Sequence, residues 1–98
     1  MKIIVVEDEI RIREGICKLI DKMFPEHEVI GTAENGEEGL NLILQKNPDL
    51  IITDVKMPLM DGLKMLSLVY ENEKKMRSKA IILSAYAEFS YDQKAMRW

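Results

Sequence analysis

The chain has one cysteine, no long apolar run and no excess of basic charge, and each shortage excludes something. Cys17 stands alone, so no internal disulfide can form. At helical spacing it reads as a small core residue rather than a nucleophile. A reducing, cytoplasmic setting is expected. No apolar stretch approaches the roughly 18 residues that a membrane span requires. The opening "MKIIVVEDE" carries one basic residue and a short apolar run that ends in acids, which is no secretory signal. Fourteen lysines and arginines face seventeen aspartates and glutamates, a net charge of −3 that leaves no electrostatic footprint for nucleic acid. There is no internal repeat, low-complexity tract or linker. Ninety-eight residues make one domain, 1–98.

What is present is a regular alternation. "KIIVV" (Lys2 to Val6) is a continuous β-branched run, as in a strand covered on both faces. Ile12, Ile16, Leu19, Ile20 and Met23 then recur at spacings of three and four, which predicts a helix with that stripe inward. Arg11, Arg13, Lys18 and Lys22 take its other faces, and Pro25 closes the region. "EVIGTA" (Glu28 to Ala33) reads as a second strand. Asn35 with Glu38 three residues on resembles a capping box for a helix packed through Leu40, Ile43 and Leu44. Asn47-Pro48 stops it. "LIITD" (Leu50 to Asp54) is a third strand. Leu63, Leu66, Val69 and Tyr70 mark a third helix after the Asp61-Gly62 turn. "KAIILSA" (Lys79 to Ala85) is a fourth strand, and Glu88 to Trp98 has helical composition. This βαβαβαβα order implies an α/β fold, a parallel sheet with right-handed crossovers and helices on both faces.

In such a fold ligands bind beyond the carboxyl ends of the strands. Glu7 and Asp8 directly follow the first strand, and Asp54 ends the third. If those strands are neighbours, three carboxylates converge on one sheet edge. Carboxylates that close disfavour joint ionisation, and a cation would offset the repulsion. Oxygen ligands suit Mg²⁺, whereas Zn²⁺ or copper would call for histidine or cysteine. Glu9 and Glu37 read instead as ordinary acids at helix N-termini. Ser84, at the end of the fourth strand, could donate a hydrogen bond to an anion held above Asp54. His27 lies at the opposite edge and reads as a surface residue.

The segments "IIVVEDE", "PDLIITDVKMPLMDG" and "IILSAY" together resemble the receiver domain of two-component response regulators, in order and spacing along the whole chain. The resemblance implies a flavodoxin-like doubly wound sheet of order 2-1-3-4(-5). It implies that Asp54 accepts a phosphoryl group from a sensor histidine kinase, in a Mg²⁺-dependent reaction. Asp8 would ligate the ion directly, and Asp54 and the backbone carbonyl of Lys56 would complete the protein's share of the shell. Many family members have aspartate where this chain has Glu7, whose longer side chain is expected to act through water. Pro58 and Gly62 would shape the loop beside the site. Ser84 would move toward the phosphoryl group as the switch hydroxyl.

The family's fifth strand, its phosphate-pairing lysine and its last helix are expected beyond Trp98, so the natural protein is expected to be longer. Lys94, inside the predicted last helical segment, cannot replace that lysine. Without those elements the fourth strand is a free edge, which predicts self-association as a homodimer or by domain swapping. The segment "SAYAEFSYDQKAM" also resembles receivers joined to an arabinose-operon (AraC) type helix-turn-helix output. Tyr86, Phe89 and Tyr91 would then belong to a signalling face. That DNA-binding output would lie outside this chain, which itself contacts neither nucleic acid nor membrane. Two other readings remain. One is a Mg²⁺-dependent phosphohydrolase with Asp54 as nucleophile, disfavoured because Lys56 stands where its general acid would be. The other is a receiver-like interaction module that works without phosphorylation.

Overall fold

The computed structural model describes residues 1–72 and 78–83. The predicted switch hydroxyl Ser84, the aromatic residues Tyr86, Phe89 and Tyr91, Lys94 and the predicted helix from Glu88 to Trp98 lie outside the described residues.

Four parallel strands, β1 (Lys2–Val6), β2 (Glu28–Ala33), β3 (Leu50–Asp54) and β4 (Lys79–Leu83), alternate with three helices, α1 (Ile10–Met23), α2 (Gly36–Lys46) and α3 (Gly62–Asn72). The sheet order is β2-β1-β3-β4, the flavodoxin-like order expected. β1 pairs with both β2 and β3, so the first strand lies inside the sheet and is buried on both faces. That is why its apolar residues run continuously instead of alternating. The register sets Val6 beside Thr53 and Asp54 beside Leu83, so β1 and β3 end at nearly the same level.

Local chemistry sets the helix ends. Asn35 caps α2, its Oδ1 accepting from the Glu38 amide at 2.8 Å. Asn47 ends the helix in the left-handed region (φ 49°), where asparagine is tolerated better than most residues. Asp61 does the capping work for α3, its Oδ1 accepting from the Lys64 amide at 2.7 Å.

The side chains form two cores, one on each sheet face. Ile4, Val6 and Ile51 pack with Ala33, Ile43, Met65, Leu66 and Val69 beneath α2 and α3. The approach of α2 depends on glycine: a Cβ on Gly39 would meet Met65 Sδ at 2.7 Å and Val6 Cγ1 at 2.9 Å. The inner face of α2 is therefore Gly36, Gly39 and Ile43, with Leu40 and Leu44 at its half-buried margins. On the other face Ile3, Val5, Ile20 and Ile52 form a smaller core, with Ile16 and Cys17 against it.

The α1 stripe differs from expectation. Only Ile20 is buried, Ile16 is half-buried, and Ile12, Leu19 and Met23 are exposed (Leu19 by 55% and Met23 by 60%). Among the described residues α1 packs chiefly on β1 and β2, and Ile16, Cys17 and Ile20 are the α1 residues that reach the core on that face. His27 also differs in detail. It is half-buried, its Nδ1 lies 2.7 Å from the Met1 amino nitrogen, and its ring stacks on Phe24.

Candidate functional site

The ends of β1 and β3 build the site. Val6 and Thr53 are in register, so the residues that follow them, Glu7 and Asp54, emerge side by side at the carboxyl edge. Asp8 is the next residue along the β1–α1 loop. One carboxylate oxygen from each of Glu7, Asp8 and Asp54 lies within 4.8 Å of the other two. The topology thus brings together the three acids singled out in the sequence.

Their surroundings are unequal. Glu7 is buried, with 3% of its surface exposed. Its amide donates to the Ala33 carbonyl at 2.9 Å, which continues the β1–β2 ladder past the strand end. Its Oε2 accepts from the Glu9 amide at 3.1 Å. Burial pushes the Glu7 carboxyl up to about 7; the Glu9 amide opposes that rise, and Asp8 and Asp54 reinforce it. Asp8 is exposed. Asp54 is half-buried, and its Oδ1 accepts from the Val55 amide at 2.8 Å. Burial also raises the Asp54 carboxyl, with the charge of Asp8 adding to it and the Val55 amide opposing it.

The loop from Val55 to Asp61 is fastened at both ends. The Gly62 amide donates to the Val55 carbonyl at 2.7 Å, and the Gly36 amide donates to the Met60 carbonyl at 3.0 Å. These glycines are demanded by close approach. A Cβ on Gly62 would stand 2.0 Å from the Asp54 carbonyl oxygen, and one on Gly36 would stand 2.1 Å from that of Met60. Leu59, after Pro58, takes a left-handed conformation (φ 69°), an uncommon state for a side chain with a Cβ. Thr53, fully buried, satisfies its hydroxyl by donating to the Asp54 carbonyl at 2.9 Å. The backbone that carries Asp54 is thus held from the strand side and the helix side.

This donor set fits Mg²⁺. All three groups are hard oxygen ligands, they meet at one point, and burial together with mutual repulsion has raised two of them. A divalent cation would relieve both effects. Lys56 is exposed, two residues beyond Asp54. Ser84 lies outside the described residues, and Leu83, the last described residue of β4, is in register with Asp54.

Two contributors were not visible in the sequence pattern. Arg13, placed there on an outer helix face, donates from Nη1 to the Glu7 carbonyl at 2.8 Å. Gly36 clamps the far loop through Met60. Helical periodicity has no signal for either, because both contacts leave the element that carries the residue.

Comparisons with known proteins agree with this geometry. A profile of the response regulator receiver domain matches residues 3–98. The transcriptional regulatory protein YesN of Bacillus subtilis, itself described as uncharacterized, is 37% identical over 97 residues. That match takes in 99% of this chain and 26% of YesN. The REC domain of AraT, a response regulator from Geobacillus stearothermophilus, superposes with a TM-score of 0.82 at 40% identity, covering 98% of this chain and 73% of that one. A chain of the CheX–CheY–BeF3–Mg²⁺ complex from Borrelia burgdorferi gives a TM-score of 0.79 at 25% identity, covering 99% of this chain and 71% of that one.

Proposed function

The chain belongs to the response regulator receiver domain family, and from that premise we propose that Asp54 is its phosphoacceptor, served by Mg²⁺ held at Glu7, Asp8 and Asp54. The observation that carries the reading is the convergence of three carboxylates at the ends of two adjacent parallel strands. A carboxylate can act as a phosphoryl acceptor, forming a mixed anhydride. An oxygen of Asp54 attacks phosphorus, and the bond from phosphorus to the donor breaks. With a phosphohistidine donor the bonding pair returns to the imidazole nitrogen, which takes a proton from solvent. With an acyl phosphate a free carboxylate departs and no proton is needed.

The protein's part is positioning. The Val55 amide holds Asp54 Oδ1, which orients the carboxylate at the strand end. Bound Mg²⁺ would neutralise charge on the phosphoryl oxygens and let the acids share one site. Asp8 would be the direct ligand, Glu7 would support the ion through water, and Asp54 and the Lys56 carbonyl would complete the protein's share. Ser84 would donate to a phosphoryl oxygen and report the modification. The Borrelia complex supports the chemistry, since BeF3 has the shape and charge of a phosphoryl group and accompanies Mg²⁺ there.

The chain spans 26% of the length of YesN, so the activity of a whole protein goes further than this domain. The proposed setting is a cytoplasmic signalling protein of which residues 1–98 are the receiver. A histidine kinase is the donor, and a transcription-regulating output domain, of the AraC type, is the target. Among the described residues no helix is long and apolar enough to cross a membrane.

Intact mass after incubation with Mg²⁺ and a small acyl phosphate tests the reading. A single phosphoryl adduct is expected, lost in Asp54→Asn and lost when Mg²⁺ is chelated. An adduct that persists in Asp54→Asn would sink it.

A further inference from the structure

We infer that Arg13 is a positioning residue for the cation site, acting through the peptide that joins Glu7 to Asp8; this rests on the acids being the Mg²⁺ ligands of the phosphoacceptor reading. The β1–α1 loop is only three residues, Glu7 to Glu9, yet it carries two of the three acids. The carbonyl that Arg13 Nη1 contacts at 2.8 Å is the oxygen of the peptide between Glu7 and Asp8. That peptide is planar, so one strong hydrogen bond to its oxygen sets the plane and with it the start of Asp8. A guanidinium is a charged, pre-organised donor, stronger here than a neutral one.

Other restraints on this loop are few. Glu9 occupies the N-cap of α1, but its side chain makes no capping hydrogen bond, and the first turn holds no acid. The Glu9 amide is spent on Glu7 Oε2. The Arg13 amide makes the ordinary helical bond to the Glu9 carbonyl at 2.9 Å, and its side chain alone reaches past the cap to the Glu7 carbonyl. Asp8 is the exposed member of the triad, and the backbone of this loop sets where its carboxylate starts.

Charge and positioning predict opposite outcomes. Deleting a cation near three carboxylates should, by Coulomb's law alone, tighten Mg²⁺ binding. Loss of positioning should weaken it. The experiment is calorimetric titration of Mg²⁺ into wild type, Arg13→Met, Arg13→Gln and Arg13→Lys, with exposed Arg11→Met as the matched charge deletion. The dissociation constant is expected to rise roughly tenfold in Arg13→Met, the usual scale for losing a group that orients a ligand. Arg13→Lys should recover part of the loss, and Arg11→Met should stay at or below the wild-type value. In phosphoryl uptake, the Mg²⁺ concentration for half-maximal rate should rise in Arg13→Met while the rate at saturating Mg²⁺ returns toward wild type. A purely structural role would lower the melting temperature and leave the dissociation constant unmoved.

An Arg13→Met protein that folds and binds Mg²⁺ as tightly as wild type, or more tightly, overturns the proposal. If Arg13→Met does not fold, Arg13→Gln is read by the same criterion. A wild type that binds Mg²⁺ and takes up no phosphoryl group defeats the phosphoacceptor reading alone, and Arg13 is still decided by the titration. A wild type that binds no Mg²⁺ defeats both.

Discussion

The two faces of the sheet are covered unequally. Beneath α2 and α3 the face is sealed: Ile4, Val6 and Ile51 of the sheet and Met65, Leu66 and Val69 of α3 expose none of their surface. On the α1 side the seal stops halfway. Ile52 is nearly buried, yet Ile81, its neighbour in register on β4, is 49% exposed. Leu19 and Met23 on α1 are exposed on the same side of the molecule. Asp54 takes its anchorage from the closed face, through Thr53, Gly62 and the loop clamped on Gly36. The difference teaches that an apolar run in sequence reports capacity for burial. Whether burial happens depends on a neighbour supplied from elsewhere.

Substitutions on the two faces should therefore differ sharply. Leu66→Ala, on the closed face, should cost about 2–5 kcal/mol, the sum of lost transfer energy and an unfilled cavity. Urea unfolding measures it, and a loss below 1 kcal/mol would mean that this face is looser than it looks. Gly39→Ala should cost about 1–3 kcal/mol, since the new methyl group must displace Met65 or Val6. A neutral or stabilising result would show that α2 can retreat from the sheet.

The third effect concerns the acids at the strand ends. Glu7 ionises at about 7 folded against an ordinary 4.5, so between those values the native state binds more protons than the unfolded one. This contribution to stability is fully present below about 4.5 and is lost as the pH rises through about 7. Asp54, also raised, acts in the same direction. The metal-free protein should lose stability between pH 5.5 and 8, roughly the window of these shifts. Glu7→Gln should flatten that slope, and Mg²⁺, competing with the proton, should restore stability at the alkaline end. Denaturant melts at the two pH values, with and without Mg²⁺, read it out. A metal-free wild type that gains stability over that range would contradict the assignment.

The smallest effect belongs to the open side. Leu19→Gln should change stability by no more than about 0.5 kcal/mol, as at other exposed positions. A loss approaching that of Leu66→Ala would erase the contrast between the faces and show that Leu19 is covered in solution.

Much of this was legible beforehand. The first three strands have the bounds their sequence pattern predicts, and in β1 and β3 the signature is unbroken because these inner strands are buried on both sides. The cap at Asn35 was equally local: donor and acceptor are three residues apart. The inner face of α2 was not legible, since glycine carries no hydropathy signal and its value lies in how near Met65 and Val6 can come. The α1 stripe misled for the complementary reason. Its spacing is that of a buried helix, but in the fold only Ile16, Cys17 and Ile20 meet the core, and Ile12, Leu19 and Met23 stay exposed. Arg13 looked like one of several surface cations, and only the fold of the loop turns it back onto Glu7.

The sequence by itself determined the alternation of strands and helices, the acids at two strand ends and the Asp61-Gly62 turn into α3, because each is written in neighbouring residues. Only the tertiary structure decided that β1 and β3 are adjacent. That adjacency turns acids 46 positions apart (54 − 8) into one cluster of oxygens within 4.8 Å. It also decided which face is sealed and which side chain fastens the acidic loop. The physical reason is common to all three: electrostatic repulsion, close packing and hydrogen bonding act over a few ångströms of space, and chain separation does not enter them.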